Sequence, residues 1–199
     1  MSQRRIFVDG AIYFVTSRTF DHYPLFKSDY YCRLFLTVLD SCRKKLKFEL
    51  FAFAVMPDHV HLLIRPNSRN SVSDTVRHIK GRFARLVNLA AATEDEFLGC
   101  GNGGDNQCYT PFGGEEFILA DEKHKPNAGE EFILAEGRIW QRSFYDRIIR
   151  CDRHLSNTIN YIDNNAVRHR LVDDPINWLY SSYHNRYQTG KEIIRIDYL

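Results

Sequence analysis

At 199 residues the chain has the length of one ordinary domain, able to bury a substantial core without disulfides. Its 44% hydrophobic and 26% charged content excludes a disordered or membrane-embedded chain, and no apolar run nears the roughly 18–20 residues of a membrane span. The net charge of +2 hides an uneven distribution. Residues 93–137 hold eleven acidic residues against only Lys123 and Lys125, which leaves 25 Lys and Arg against 14 Asp and Glu elsewhere. That basic remainder fits a polyanionic partner, with nucleic acid first.

In chain order, the N-terminal MSQRRIFVDG lacks the apolar core of a signal peptide, so a cytoplasmic location is expected. Ala11 to Thr19 is a short β-rich run. Ser28 is placed to cap a helix from Asp29 to about Lys47, with Leu34, Val38 and Leu39 at helical spacing. Phe48 to Val55 and Val60 to Ile64 are strand candidates joined by Met56-Pro57-Asp58, whose proline and aspartate favour a turn or bulge. Ser73 to Ala91 predicts a second helix with Val76, Ile79, Phe83, Leu86 and Val87 on one face.

Residues 93–137 read as a flexible insertion. They hold eight of the eleven glycines, and the heptapeptide from Gly114 to Ala120 recurs from Gly129 to Ala135. Two copies of a fifteen-residue repeat do not make a solenoid; a local duplication within a loop explains them better. Beyond it, Arg138 to Arg150 predicts a strand, and Asp152 or Arg153 to Asn164 a third helix. The tail, with Trp178, Tyr180, Tyr183 and Tyr187, is expected to pack back onto the sheet. The order β-α-β-β-α-β-α predicts an α+β fold over a single domain of residues 1–199: a ferredoxin-like antiparallel sheet with helices packed on it. A Rossmann fold is disfavoured, because no glycine-rich loop follows the first strand. Five cysteines without CxxC spacing read as reduced, mostly buried thiols rather than a zinc cluster.

The most informative segment is Met56-Pro57-Asp58-His59-Val60-His61. In a strand, residues i and i+2 share a face, so His59 and His61 project side by side and can hold one divalent metal. His-x-His alone is a weak signal, found also in cupins and hydrolase barrels. The first needs an all-β chain and the second a longer one.

Context narrows the choice. The run MPDHVHLLIRP, then the basic helix VRHIKGRFAR, then IWQRSFYDRIIR, then YIDNNAVRHRLV resembles the single-tyrosine HUH transposases, in particular the REP-associated tyrosine transposases. The resemblance runs from about Arg5 to Tyr183, interrupted only by residues 93–137. It implies that His59 and His61 bind Mg²⁺ or Mn²⁺, that Tyr161 is the nucleophile, and that Asn165, four residues on, is the third ligand. An i, i+4 pair lies on one helical face, so Tyr161 and Asn165 can reach the same site.

The implied activity is metal-dependent cutting and joining of single-stranded DNA at hairpin-associated repeats through a covalent 5′-phosphotyrosine, in a nucleoid-associated protein. Some HUH transposases form a site from two subunits, which makes a homodimer one option for this chain. A free phenol has a pKa of about 10, so Tyr161 must lose a proton during attack. The sequence names no base, though His154 and Lys80 are candidates. For DNA contacts it offers Arg77, Lys80, Arg82 and Arg85 on the second helix, and Arg138, Arg142, Arg147 and Arg150 before the third. Trp140 and Phe144 suit either base stacking or the core.

The chain departs from the family's usual Tyr-Ile-x-x-Asn-Pro-Val-x-x-Gly-Leu-Val at Ala166 and Arg170. Loss of proline and glycine there predicts an extended or loosened tyrosine helix. A degenerate or domesticated protein that binds DNA hairpins without cutting is therefore the alternative reading. Replication or conjugation enzymes with the same chemistry generally carry further domains.

Overall fold

A computed structural model describes residues 8–97 and 138–199. Most of the acidic insertion, the N-terminal Arg4 and Arg5, and Cys100 and Cys108 lie outside the described residues. Four strands, β1 (Tyr13–Arg18), β2 (Glu49–Met56), β3 (His59–Arg65) and β4 (Tyr145–Ile148), form one sheet in the order β2-β3-β1-β4. Every neighbouring pair is antiparallel. The intervening β3 leaves β1 and β2 parallel, joined through a helix, as the ferredoxin-like α+β layout requires.

Two long helices, α1 (Asp29–Leu46) and α2 (Val72–Phe97), pack on one face. There Tyr13, Val15, Val60, Leu62 and Ile64 meet Phe26, Phe35, Phe83 and Trp140 in the main core. The rings of Phe26, Phe35, Phe83 and Trp140 lie within 5.9 Å of one another. Trp140 therefore belongs to the core rather than to a base-stacking surface. Cys32 and Cys42 are buried on α1, where burial raises both thiol pKa values, that of Cys42 to about 11.

The other face carries α3 (Asp152–Asp163) and the short α4 (Asn165–Arg168). Ile162 and Ala166 pack there on Phe51, Ala54, Met56 and Leu63. A bulge between Leu50 and Ala52 puts Phe51 and Ala52 together on this face, then restores the alternation with Phe53 inward. The tail docks on the β2 edge as expected. The Trp178 indole donates to the Val55 carbonyl at 3.0 Å, and Val55 donates its backbone N–H to Tyr180.

Two elements differ from the sequence reading. The second helix starts at Val72 and runs to Phe97, taking in residues 93–97 of the acidic stretch. Ser71 caps its start: its hydroxyl accepts from the Asp74 N–H at 3.1 Å and donates to the Asp74 carboxylate at 2.6 Å. No breaker interrupts the run from Ala90 until Gly99, so the helix persists. Conversely, the strand expected over 138–150 shrinks to Tyr145–Ile148, preceded by an isolated bridge between Trp140 and Thr19. Lys80 donates to the carbonyls of Gln141 and Ser143, at 2.8 and 3.4 Å, and so engages them outside the ladder.

Candidate active site

Pro57 and Asp58 form a two-residue turn between paired Met56 and His59. This turn starts β3 at His59, and the pleat does the rest. Val60, Leu62 and Ile64 point into the α1/α2 core, while His59, His61 and Leu63 face the α3 side. His59 and His61 are 5% and 3% exposed, so both imidazoles are largely removed from water.

Their orientation is set from behind. The Nδ1 of His59 lies 2.6 Å from the Asp58 carboxylate, and the Nδ1 of His61 lies 2.9 Å from the Thr16 hydroxyl. Carboxylates accept, so Asp58 fixes the proton of His59 on Nδ1 and leaves Nε2 with a free lone pair. The two Nε2 atoms then face each other at 3.2 Å.

Nitrogens each about 2.1 Å from a shared ion stand roughly 3–3.4 Å apart, so the pair has the separation of two ligands of one metal. Outer partners such as Asp58 and Thr16 are what hold ligating histidines in place. Burial pushes the His61 pKa down to about 3, helped by the charges of His59 and His169. Burial also lowers that of His59, outweighing the pull of Asp58 in the other direction. Burial alone would raise the Asp58 pKa, but hydrogen bonds from His59 and His22 and the charge of His59 bring it below the usual value. Neutral imidazoles beside an ionised carboxylate are the states that metal binding needs.

Tyr161 comes to the same place from α3. Its ring meets His61 edge-on at 5.4 Å and Phe14 at 5.8 Å, and the Arg168 guanidinium lies 5.3 Å over its centre. One chain therefore brings the tyrosine and the histidine pair together. Asn165 is fully buried one turn later, and among the described residues neither atom of its side-chain amide has a hydrogen-bond partner. A buried amide without partners costs about 1–3 kcal/mol, and a cation beside its carbonyl oxygen would relieve part of that.

The helix end answers the question raised by Ala166 and Arg170. Leu171 donates to the Ala166 carbonyl at 3.0 Å and Arg170 to the Val167 carbonyl at 2.9 Å, the two bonds of a Schellman cap. Arg170 sits at the left-handed position of that cap, with φ of 57°. Helical bonds run on past Asn164 through α4 and stop at this cap, which forms with arginine where glycine costs least. Behind Tyr161, Asp163 is held by Arg186 through two 2.7 Å bonds, and Arg186 also donates to the Phe51 carbonyl. This buried pair ties the tyrosine helix to β2.

The basic candidates do not form one surface. Arg77, Arg82 and Arg85 line a groove beside α1 and α2, on the face away from the histidines. Arg77 is paired with Asp74 at 2.9 Å. Lys80 is engaged by the Gln141 and Ser143 carbonyls, so it is not a base for Tyr161. Arg142 and Arg138 join Arg77 and Lys80 along a second groove beside Trp140. Arg147 is different: it pairs across from Phe14, on the histidine face, and is exposed. Arg150 is exposed just before α3, and His154 stands two turns ahead of Tyr161.

Sequence reasoning missed Thr16, Asp58 as a hydrogen-bond partner, Arg168 and His169. Asp58 was legible as the neighbour of His59, and His169 as eight residues beyond Tyr161. Thr16 depends on the β1–β3 register, in which it pairs with His61.

Residues 9–100 match the family model described as Transposase IS200 like. Over 182 residues the chain is 27% identical to a protein assigned as a REP-associated tyrosine transposase in Haemophilus influenzae, spanning 91% of this chain and 84% of that one. The fold is that of a solved REP-associated tyrosine transposase bound to a REP hairpin, with a TM-score of 0.62 at 19% identity over 100% of this chain and 91% of the other. The chain is thus similar to the IS200-like transposases over residues 9–100 and shares its fold with a solved transposase. The motif resemblance to the REP-associated tyrosine transposases points the same way as these likenesses. Among the described residues no helix is long and apolar enough to cross a membrane.

Proposed function

We propose that this chain is a metal-dependent single-strand DNA endonuclease and strand transferase acting on hairpin-associated sites through Tyr161. The observation that carries the reading is the facing pair of Nε2 atoms at 3.2 Å with the Tyr161 ring 5.4 Å from His61. His59, His61 and Asn165 would hold Mg²⁺ or Mn²⁺, which when bound withdraws charge from the scissile phosphate. Tyr161 attacks the phosphorus as its phenol gives up a proton. A bond from its oxygen to phosphorus forms, the bond from phosphorus to the 3′ oxygen breaks, and that oxygen leaves as a protonated 3′-OH. The phosphodiester energy stays in the 5′-phosphotyrosine, so rejoining needs no ATP.

Arg168, over the ring, is placed to attract the incoming phosphate. Phe14 and His61 hold the ring from two sides, and the Arg186–Asp163 pair fixes the helix beneath it. The likeness to a solved transposase bound to a REP hairpin supports hairpin DNA as the substrate. Exposed Arg147 on the histidine face is the best-placed basic residue for the strand entering the site. A nucleoid-associated location is part of this reading. The site is assembled within one chain, so a homodimer is not needed to complete it.

The test is a denaturing gel of labelled single strands from the DNA flanking the gene, with Mn²⁺ or Mg²⁺. A covalent adduct that disappears in Tyr161→Phe, in His59→Ala and with EDTA is expected. Hairpin binding without an adduct under both metals would instead support the degenerate, binding-only reading. The intact helix cap at Arg170 weighs against that alternative.

A further inference from the structure

The sheet extends past the paired histidines to its outer strand, β4, and the register sets what that strand presents. Tyr145 pairs across from Thr16, and Arg147 across from Phe14. Opposed residues of an antiparallel pair share a face, so both side chains lie on the histidine side. Their neighbours follow the same alternation: Phe144 and Ile148 pack on the α1/α2 core, and Ile149 on the apolar cluster under α3. Thr16 meets the His61 ring at 2.9 Å, and the Phe14 ring lies 5.3 Å from that of His61 and 5.8 Å from that of Tyr161. His61, Thr16 and Tyr145 thus form one row across β3, β1 and β4, its outer members on the order of 10 Å apart. The surface opens along this row: His61 is buried, Thr16 half-buried and Tyr145 58% exposed. Helix α3 packs against β2, and the β4 end of the row is left open.

We propose that Tyr145 and Arg147 seat the unpaired strand beside the scissile phosphate, Tyr145 by stacking on a base and Arg147 by neutralising a backbone phosphate. The inference rests on the reading of the chain as one that acts on single-stranded DNA. An exposed tyrosine needs no explanation by itself. This one is the only large apolar side chain exposed on the four strands. Neither it nor Arg147 has a hydrogen bond, ion pair or ring contact among the described residues. Arg147 follows two residues on, roughly 6.5–7 Å along the same face. The packing partners of Tyr161 and His61 stand on the adjacent strand. An aromatic face accepts any base, but only one whose own face is uncovered, so the ring selects an unpaired strand over a duplex stem. Arg147 adds affinity without choosing sequence.

The test uses the full chain in EDTA, so that no strand is cut, and fluorescence anisotropy of two labelled hairpins from the DNA flanking the gene. One keeps its single-stranded flank and the other is trimmed flush to the stem. Tyr145→Thr removes the ring but keeps a β-forming side chain. It is expected to weaken binding of the flanked hairpin roughly 5–100-fold and that of the trimmed one less than about twofold. Tyr145→Phe keeps the ring and should stay within about twofold of the parent on both. Arg147→Ala should lower the slope of log affinity against log salt by about 0.7, on the flanked hairpin only. An abasic nucleotide walked along the flank locates the stacked base: it should weaken the parent at one position and leave Tyr145→Thr unaffected there. Equal binding of the flanked hairpin by parent and Tyr145→Thr, or equal losses on both hairpins, would overturn the platform and leave the Tyr161 chemistry standing. The expected losses in a parent that forms no adduct with Mn²⁺ or Mg²⁺ would support the platform and sink the cutting reaction alone. No binding of either hairpin by the parent would overturn both.

Discussion

The two faces of the sheet are built on opposite terms. On the α1/α2 face, Phe26, Phe35, Phe83 and Trp140 interlock, and side chains serve packing. On the α3 face, a smaller apolar cluster around Phe51, Met56, Leu63 and Ile162 adjoins buried polar groups: two histidines with their Nε2 atoms 3.2 Å apart, and an asparagine whose amide has no hydrogen-bond partner among the described residues. Apolar packing stabilises both faces, while the buried polar groups of the second cost stability unless a charged ligand arrives. Natural proteins tolerate such a cost at the site that does the chemistry.

The sharpest contrast comes from one deletion on each face. Tyr161→Phe should reduce adduct formation by at least about 10³-fold, the scale lost with a nucleophile, and shift stability by less than about 0.5 kcal/mol. Phe83→Ala, at a fully buried ring, should cost about 3–5 kcal/mol in urea unfolding while leaving adduct yield per folded molecule unchanged.

Next in size is the response to pH of metal-free protein. The folded-state pKa values of His59 and His61 lie below the unfolded value near 6.5. Between these values the unfolded chain binds protons that the folded one refuses. Stability is therefore complete above pH 6.5 and falls as the pH drops, for His61 toward 3 and by up to about 1.4 kcal/mol per pH unit, with His59 acting in the same direction. Urea midpoints at pH 7, 6 and 5 measure the slope, and His61→Leu should flatten it.

Smaller still is Asn165→Leu, which removes a buried amide without partners. It should stabilise the metal-free protein by about 1 kcal/mol and weaken metal binding, a trade expected only on the α3 face. The smallest effect belongs to Arg170→Gly. Relief of the left-handed φ of 57° should add about 0.5–1 kcal/mol to the thermal stability.

The same contrast explains what could be read from the chain beforehand. The α1 and α2 stripes and the β2–β3 hairpin are local patterns of period 3.6 and 2, so their residues predict elements and facing sides directly. His59 with His61 and Tyr161 with Asn165 could be singled out in the sequence because each pair has a short fixed spacing along the chain. Thr16 and Arg168 could not, because the first depends on β1 pairing with β3 and the second on how the helix end turns over Tyr161. The basic residues misled for a related reason. Arg82 and Arg147 look alike in sequence, but the sheet lies between the groove that holds the first and the face that holds the second. The length of the β4 region was overread because the pull of Lys80 on two carbonyls is a long-range contact.

The account stands on Tyr161 as the atom that takes the DNA. Tyr145 is the pointed rival, 58% exposed on β4 and paired across from Thr16, beside His61. Mass spectrometry of the nuclease-trimmed, protease-digested adduct locates the nucleotide. A phosphonucleotide on the peptide containing Tyr161 is the predicted result; the modification on Tyr145, or on any other residue, would contradict it.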